Sequence, residues 1–432
     1  MSHSLPLDAN AKAVGTVAGV SVKKTVLDNG LTILTKTSAA NDIVAVEVLL
    51  GMGVRYEIEE QAGLSDLVQH LLLKGTSTRT AEQLATEVEA IGARLGASGG
   101  RDYGTVSLLC TRDTLHRGLE LLFDVLQNAT FPEEEIVREK DLALRRIKAR
   151  EDQHLSHTLD LLVETYYGVH PYHKPVLGYP HTVEQFDQPL IRTFRDRYFV
   201  PNNMIFSVVG HFETEVLIEQ IVDRFGSIPA RPLPPLKEEG LPDREEPEER
   251  FKERDIQGAW IGIGYGAPAI TEADYPAMEV LESVTGGSMN SRLFIELREK
   301  QSLAYQVGSI YSVRPGPSLY AAYIGTRSDQ FERARDGMLT EMEKLRTAPV
   351  TEEELHLAKT YLKGTFIMGQ ERNASQAGLL ARYERMGLGY NFVDRYPALI
   401  DQVTEEDVLQ VAQKHLRGPY VLSAVLPKIP SL

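Results

Sequence analysis

Two stretches of this 432-residue chain repeat one another. Thr111-Arg112-Asp113 leads through an amphipathic segment to Pro132 and Glu133-Glu134-Glu135. Thr326-Arg327-Ser328-Asp329 leads likewise to Pro349 and Glu352-Glu353-Glu354, at offsets of 215 and 217 residues. At the second offset VEQFD (residues 183–187) answers IDQVT (400–404), and IFSVV (205–209) answers LSAVL (422–426). Self-similarity at one long offset restricts the chain to two copies of a single domain. Between the copies, residues 226–251 hold six prolines and dense charge with little hydrophobic periodicity, the pattern of a stiff, exposed linker. The expected organisation is a domain over 1–225, the linker over 226–251 and a homologous domain over 252–432.

Within each half, short apolar or alternating runs such as VAVEVLL (44–50) read as strands, and residues 112–128 and 331–345 have helical spacing. The predicted fold class is α+β, each domain a mostly antiparallel sheet with helices packed on one side. In residues 63–73 the apolar side chains Leu64, Leu67, Val68, Leu71 and Leu72 follow i, i+3, i+4, i+7, i+8, which leaves Asp66, Gln69 and His70 on another face. From Pro132 onward, a proline at the first helical position and three first-turn glutamates precede Arg145, Arg146, Lys148 and Arg150, in the sense the helix dipole favours.

A formal net charge of -15 disfavours binding driven by phosphate neutralisation, so neither nucleic acid nor an anionic membrane is an expected partner; basic peptides are attracted instead. The single cysteine, Cys110, rules out an intrachain disulfide and a thiolate zinc cluster, and its apolar setting reads as core. Residues 1–20 lack a basic n-region and an apolar h-region, and no run of about 18 apolar residues occurs. A soluble protein of the bacterial cytoplasm is expected, with the periplasm or an organelle open if a targeting segment once preceded it.

The stretch GLSDLVQHLLLKGT (63–76) resembles the inverted zinc-peptidase motif H-x-x-E-H, in which two helical histidines hold zinc and the glutamate activates the metal-bound water. Several spaced motifs extend the resemblance over nearly the whole chain. They are LDNGLTIL (27–34), His170-Pro171-Tyr172 followed by Leu177-Gly178, Asn202-Asn203-Met204 running to Gly210, and GGSMNSRLFIELREKQSLAY (286–305). The chain resembles the pitrilysin/insulinase family of zinc metallopeptidases, most closely its mitochondrial-processing-peptidase-like members of bacterial type.

The departures from that family are specific. Asp66 stands for the first histidine and Gln69 for the general base, whose amide cannot take a proton from water at neutral pH. The family's third ligand, a glutamate seven residues after the glutamate of an Arg-Glu pair, is here Arg146, counted from Arg138-Glu139. Of the ligands only His70 remains, and no metal is expected in this chain. Asp66, His70 and Arg146 should converge, with an Asp66–Arg146 ion pair, and Gln69 or His70 as hydrogen-bonding neighbour, in place of the metal.

Arg298 and Tyr305 match the arginine and tyrosine that the family's partner domain contributes to the active site, where a guanidinium and a phenol can hold substrate backbone and a developing oxyanion. Gly96, Ala97 and Ser98 resemble the family's edge strand that pairs with an extended peptide, and Gly99-Gly100 continues it with flexible residues. Gly286-Gly287 reads as a tight turn rather than a phosphate loop. His154, His157, His170 and His173 read as packing or solvent residues, and Trp260 as core.

Together these features imply the zinc-free subunit of a heterodimeric metallopeptidase, inactive alone, which encloses unfolded peptides. Its partner would be a homologous subunit with an intact H-x-x-E-H and its zinc, to which this chain lends Arg298 and Tyr305; isolated, it can form a homodimer. The alternative is an inert structural or peptide-binding homologue resembling the core subunits of respiratory complexes.

Overall fold

The computed structural model describes residues 22–236 and 239–428; the amino-terminal stretch read for targeting signals lies outside them. The first half builds one sheet from β1 (Lys23–Val26), β2 (Thr32–Thr37), β3 (Ile43–Leu50), β4 (Arg94–Ser98), β5 (Gly104–Thr111) and β6 (Met204–Gly210), in the order β1-β2-β6-β3-β5-β4. The second half builds another from β7 (Glu248–Glu253), β8 (Gly258–Ala267), β9 (Gln306–Ser312), β10 (Ser318–Arg327) and β11 (Val421–Leu426), in the order β7-β11-β8-β10-β9. Without β1 the two orders are the same, and each sheet has a single parallel pair, β2 with β6 and β7 with β11. The duplication is therefore one of topology as well as sequence. β7 begins at Glu248, so the last residues assigned above to the linker belong to the second sheet. Its sequence, EERFKE, is polar because an exposed edge strand needs no apolar alternation.

One face of the first sheet is covered by α1 (Leu64–Leu71), α2 (Ala81–Ala90), α3 (Leu115–Asn128), α4 (Glu133–Asp152), α6 (Pro180–Val183), α7 (Gln188–Tyr198) and α8 (Thr214–Phe225), whose apolar stripes merge into one core. α9 (Tyr275–Thr285), α10 (Phe331–Thr347), α11 (Glu352–Met368), α13 (Phe392–Gln402) and α14 (Glu405–His415) do the same for the second. Both sheets are mostly antiparallel with a helical layer, as the sequence predicts. The layer is not the only cover, however.

Each half lends one helix to the opposite face of the other's sheet. α5 (His154–Tyr167) packs Leu162, Tyr166 and Tyr167 on Leu319, Ala321 and Val421 of the second sheet. α12 (Asn373–Arg385) packs Ala377, Leu380 and Ala381 on Leu34, Ala45, Leu49, Ile205 and Val209 of the first. Covered on both sides, the central strands MIFSVVG and VLSAVL are buried at every position and read as near-continuous apolar runs. A polar knot also joins the halves: the Tyr172 hydroxyl and Arg314 Nη1, the latter at 3.2 Å, both donate to buried Asp102. No described helix is long and apolar enough to cross a membrane.

Candidate active site and its substitutions

Helix α1 is fixed before any of its polar residues acts. Gly63 precedes it at φ +92°, where an added Cβ would meet Leu177 O at 2.6 Å, so only glycine fits. The buried Glu57 carboxylate accepts from the amides of Gly63 (3.0 Å) and Ser65 (2.7 Å), satisfying donors that a helix start leaves unpaired. Leu64, Leu67, Val68 and Leu71 then seat the helix on the core, and Asp66 and His70 turn towards α4.

Along the α1–α4 seam, Lys74 Nζ pairs with buried Glu139 at 2.9 Å. Two turns further along α4, Arg146 Nη2 stands 3.7 Å from Asp66 Oδ2, while Nη1 donates to His70 Nε2 at 2.5 Å. The three positions converge as the sequence implies, with His70 as the hydrogen-bonding neighbour. Gln69 is not part of the cluster. It is fully buried, its Nε2 lies 3.4 Å from Met52 Sδ, and its Oε1 has no partner among the described residues. One residue along a helix is a rotation of about 100°, enough to turn Gln69 under the sheet while His70 meets α4.

These groups do not fit zinc. A histidine ligates through a ring nitrogen lone pair, and that of His70 Nε2 is taken by the Arg146 guanidinium. Burial, with Arg146 alongside, pushes the His70 pKa below its ordinary value, which favours the neutral ring that accepts this bond. Burial pushes the Asp66 carboxyl upward, against the opposite pull of His70 and Arg146. Among the described residues no group of three His, Cys, Asp or Glu is arranged to hold a metal ion.

Arg298 and Tyr305 lie in the other half, and no hydrogen bond, ion pair or ring contact among the described residues joins them to Asp66, His70 or Arg146. Arg298 falls in a short π-helical segment, Phe294–Lys300, with its guanidinium 4.9 Å over the Phe294 ring. Its side chain is 43% exposed, and its nearest carboxylate, Glu299, is 4.0 Å away. Tyr305 sits just before β9, tied by its amide to Gly325 O at 3.1 Å and by its ring edge-on to Trp260 at 5.4 Å. Its ring and hydroxyl lie across Gly325 and Gly258, where an added Cβ would stand 2.9 Å from Cζ and 3.0 Å from Oη; the residue is 52% exposed, and the hydroxyl makes no hydrogen bond with a described residue.

β4, with Gly96, Ala97 and Ser98, is the outer strand of the first sheet and, among the described residues, pairs only with β5. The glycines beside it are in contact with neighbouring elements. Gly99 lies flat on α1, where a Cβ would come 2.8 Å from Asp66 Cα, and Gly100 O accepts from Val54 N at 3.2 Å. Gly286 and Gly287 end α9, both amides bonding to Glu282 O. His170 accepts from Tyr172 N, and His173 Nε2 stands 3.1 Å from Glu59. The buried Cys110 thiol is pushed up to about 11 by desolvation. Sequence reasoning missed Glu57, whose signal was a carboxylate six residues before a glycine-led helix.

Family models match most of the chain: insulinase (peptidase family M16) over residues 32–179, and peptidase M16 inactive domain over 186–362. A Rickettsia felis protein described as an uncharacterized zinc protease is 30% identical over 90% of this chain and 93% of its own length. The Bacillus subtilis uncharacterized zinc protease YmxG is 27% identical over 94% and 98%. Among solved structures, a protease from Helicobacter pylori superposes with a TM-score of 0.89 at 22% identity, covering 94% of this chain and 100% of that one. A peptidase M16 inactive domain from Pseudomonas fluorescens gives 0.87 at 20% identity, over 95% and 99%. The chain belongs to the insulinase family, peptidase family M16, as a member without the zinc motif.

Proposed function

We propose that this chain is the zinc-free subunit of a two-subunit metallopeptidase that encloses and cleaves unfolded peptides. Its own half-site is closed by Arg146, so hydrolysis falls to a homologous partner with an intact H-x-x-E-H and its zinc. This chain supplies Arg298 to substrate backbone and the Tyr305 hydroxyl to the oxyanion formed at the reacting carbonyl. The observation that carries the reading is the contrast between the two sites. The ligand nitrogen of His70 is consumed inside the chain, whereas Arg298 and Tyr305 are about half-exposed and their side chains make no hydrogen bond among the described residues. A protein retained only as scaffold has no chemical use for that pair.

The test is purification of the tagged chain from its native host, with metal analysis and peptide hydrolysis before and after its partner is stripped away. The expected result is a co-purifying homologue bearing H-x-x-E-H, about one zinc per pair, and activity lost on separation. Stoichiometric zinc or chelator-sensitive hydrolysis by the lone chain overturns the proposal. A partnerless, inactive chain favours the structural alternative.

A further inference from the structure

Along β8, GAWIGIGYGA, successive residues point to opposite faces of the second sheet. Ala259, Ile261, Ile263 and Tyr265 enter the helical core, so Gly258, Trp260, Gly262, Gly264 and Gly266 share the other face, the one on which α5 packs. Trp260 is the only one of those five with a side chain. To one side of it, a Cβ at Gly262 or Gly264 would stand 3.4 or 3.3 Å from Leu162 of α5, so the bare strand lets that helix lie close.

To the other side the same device admits Tyr305. Gly325 of β10 pairs in register with Trp260 and faces the same way. A Cβ at Gly325 would come 2.7 Å from Tyr305 Cε2 and 3.0 Å from Trp260 Cη2. The phenol thus lies in a seat floored by Gly258 and Gly325 and walled by the indole, which meets it at an interplanar angle of 83°. The backbone leading into the seat is fixed as well. Buried Leu303 donates from its amide to Leu297 O at 2.8 Å and accepts from buried Thr326 Oγ1 at 2.6 Å. Leu297 immediately precedes Arg298, so this anchor ties the backbone at Arg298 to the backbone at Tyr305. Burial raises the Tyr305 phenol above its usual pKa near 10, which keeps it protonated and able to donate at neutral pH.

We infer that Trp260, with Gly258 and Gly325, positions Tyr305: the seat holds the phenol in one orientation, so that its hydroxyl meets the partner's substrate at a set point. Trp260 touches no substrate and acts through Tyr305. Gly325 is the glycine that can be tested, because an added methyl there meets the end of a half-exposed side chain that can swing away. At Gly258 it would meet Thr326 O, a backbone atom, at 2.8 Å. The inference rests on the part given to Tyr305 in the proposed function and adds the residues that aim it.

Trp260 is the chain's single tryptophan, so its fluorescence reads the seat directly. In the purified full chain, Tyr305→Ala and Gly325→Ala should each shift the indole emission to longer wavelength and raise its quenching by acrylamide, with circular dichroism unchanged. In the complex with the zinc-bearing homologue, Gly325→Ala should lower kcat about 10²-fold with KM little changed, the scale of a misplaced group. Adding Tyr305→Phe to Gly325→Ala should lower turnover no further than Tyr305→Phe alone. Trp260→Phe, which keeps an aromatic wall, should retain most of the turnover that Trp260→Leu loses. Emission unmoved by Tyr305→Ala shows that the ring does not occupy the seat and overturns the inference. Full turnover in Gly325→Ala, or losses from Gly325→Ala and Tyr305→Phe that multiply, overturn it too and leave the function given to Tyr305 standing. Full turnover in Tyr305→Phe overturns that function and the inference with it.

Discussion

The Arg146 guanidinium reaches both Asp66 and His70 across the α1–α4 seam, and the consequence is local and measurable. Asp66 is 7% exposed while the Arg146 side chain is 33% exposed, so the pair lies between a buried ion pair and a surface one. Arg146→Met should therefore cost about 1–3 kcal/mol, less than a fully buried pair and more than an exposed one. Combining it with Asp66→Asn should recover part of that loss, because the stranded charge is then gone. Urea unfolding of the four proteins of the cycle measures this, and strictly additive losses would show that the two residues do not interact. A second residue-scale prediction concerns pH. Burial pushes Glu47, Glu57 and Glu282 up from an ordinary value near 4.5 to about 7. With the folded pKa above the unfolded one, the native state binds extra protons between those values. The resulting stabilisation is full below about 4.5 and lost as pH rises through about 7. Glu47→Gln should flatten the fall in stability between pH 5 and 8 and raise stability at pH 8 by on the order of 1–3 kcal/mol. An unchanged slope would remove Glu47 from this account.

At the scale of elements, the β4–β5 turn is the piece that connects the edge strand to α1. A Cβ at Gly99 would come 2.8 Å from Asp66 Cα, a backbone atom that cannot swing aside. Gly99→Ala should cost about 1–3 kcal/mol, the usual penalty for overpacking, and loosen β4 by hydrogen exchange; a neutral substitution would mean that turn and helix are not in firm contact. Much of this region is legible in the sequence: α1 has a clean apolar stripe and helical spacing sets Asp66 and His70 one turn apart, whereas the approach of Arg146 from α4 follows from the family resemblance and not from spacing. Gln69 is less legible, since a polar side chain beside a stripe can turn either to water or under the sheet. β7 is hidden because an edge strand needs no alternation. The exchange of α5 and α12 is hidden for a different reason. Periodicity reports that a helix has an apolar face, but not which sheet meets it, and α12 shows one face to the first sheet while its Tyr383 enters the second core. The Tyr305 seat is hidden because periodicity cannot align Gly325 with Trp260; register alone does.

On the scale of the whole molecule, the helix exchange makes the two halves one folding unit. Residues 22–225 expressed alone would leave Leu34, Ala45, Leu49, Ile205 and Val209 uncovered where α12 packs, an apolar patch that promotes association. The separate halves should be insoluble or self-associated, and co-expression should restore a monomer-sized complex; a stable, monomeric first half would contradict the exchange as a source of stability. A unit of this kind holds Arg298 and Tyr305 of one half at a set position relative to the outer strand β4 of the other. The central claim is that this pair acts on a partner's reaction. Its most direct test is the turnover of the purified complex with the zinc-bearing homologue, measured for the wild type, Arg298→Ala and Tyr305→Phe after gel filtration has shown that assembly is intact. The account predicts a fall of about 10²–10³ in turnover for Tyr305→Phe, the usual cost of losing one oxyanion donor, and a loss of turnover for Arg298→Ala through its hold on the substrate backbone. Turnover unchanged in both variants would contradict it.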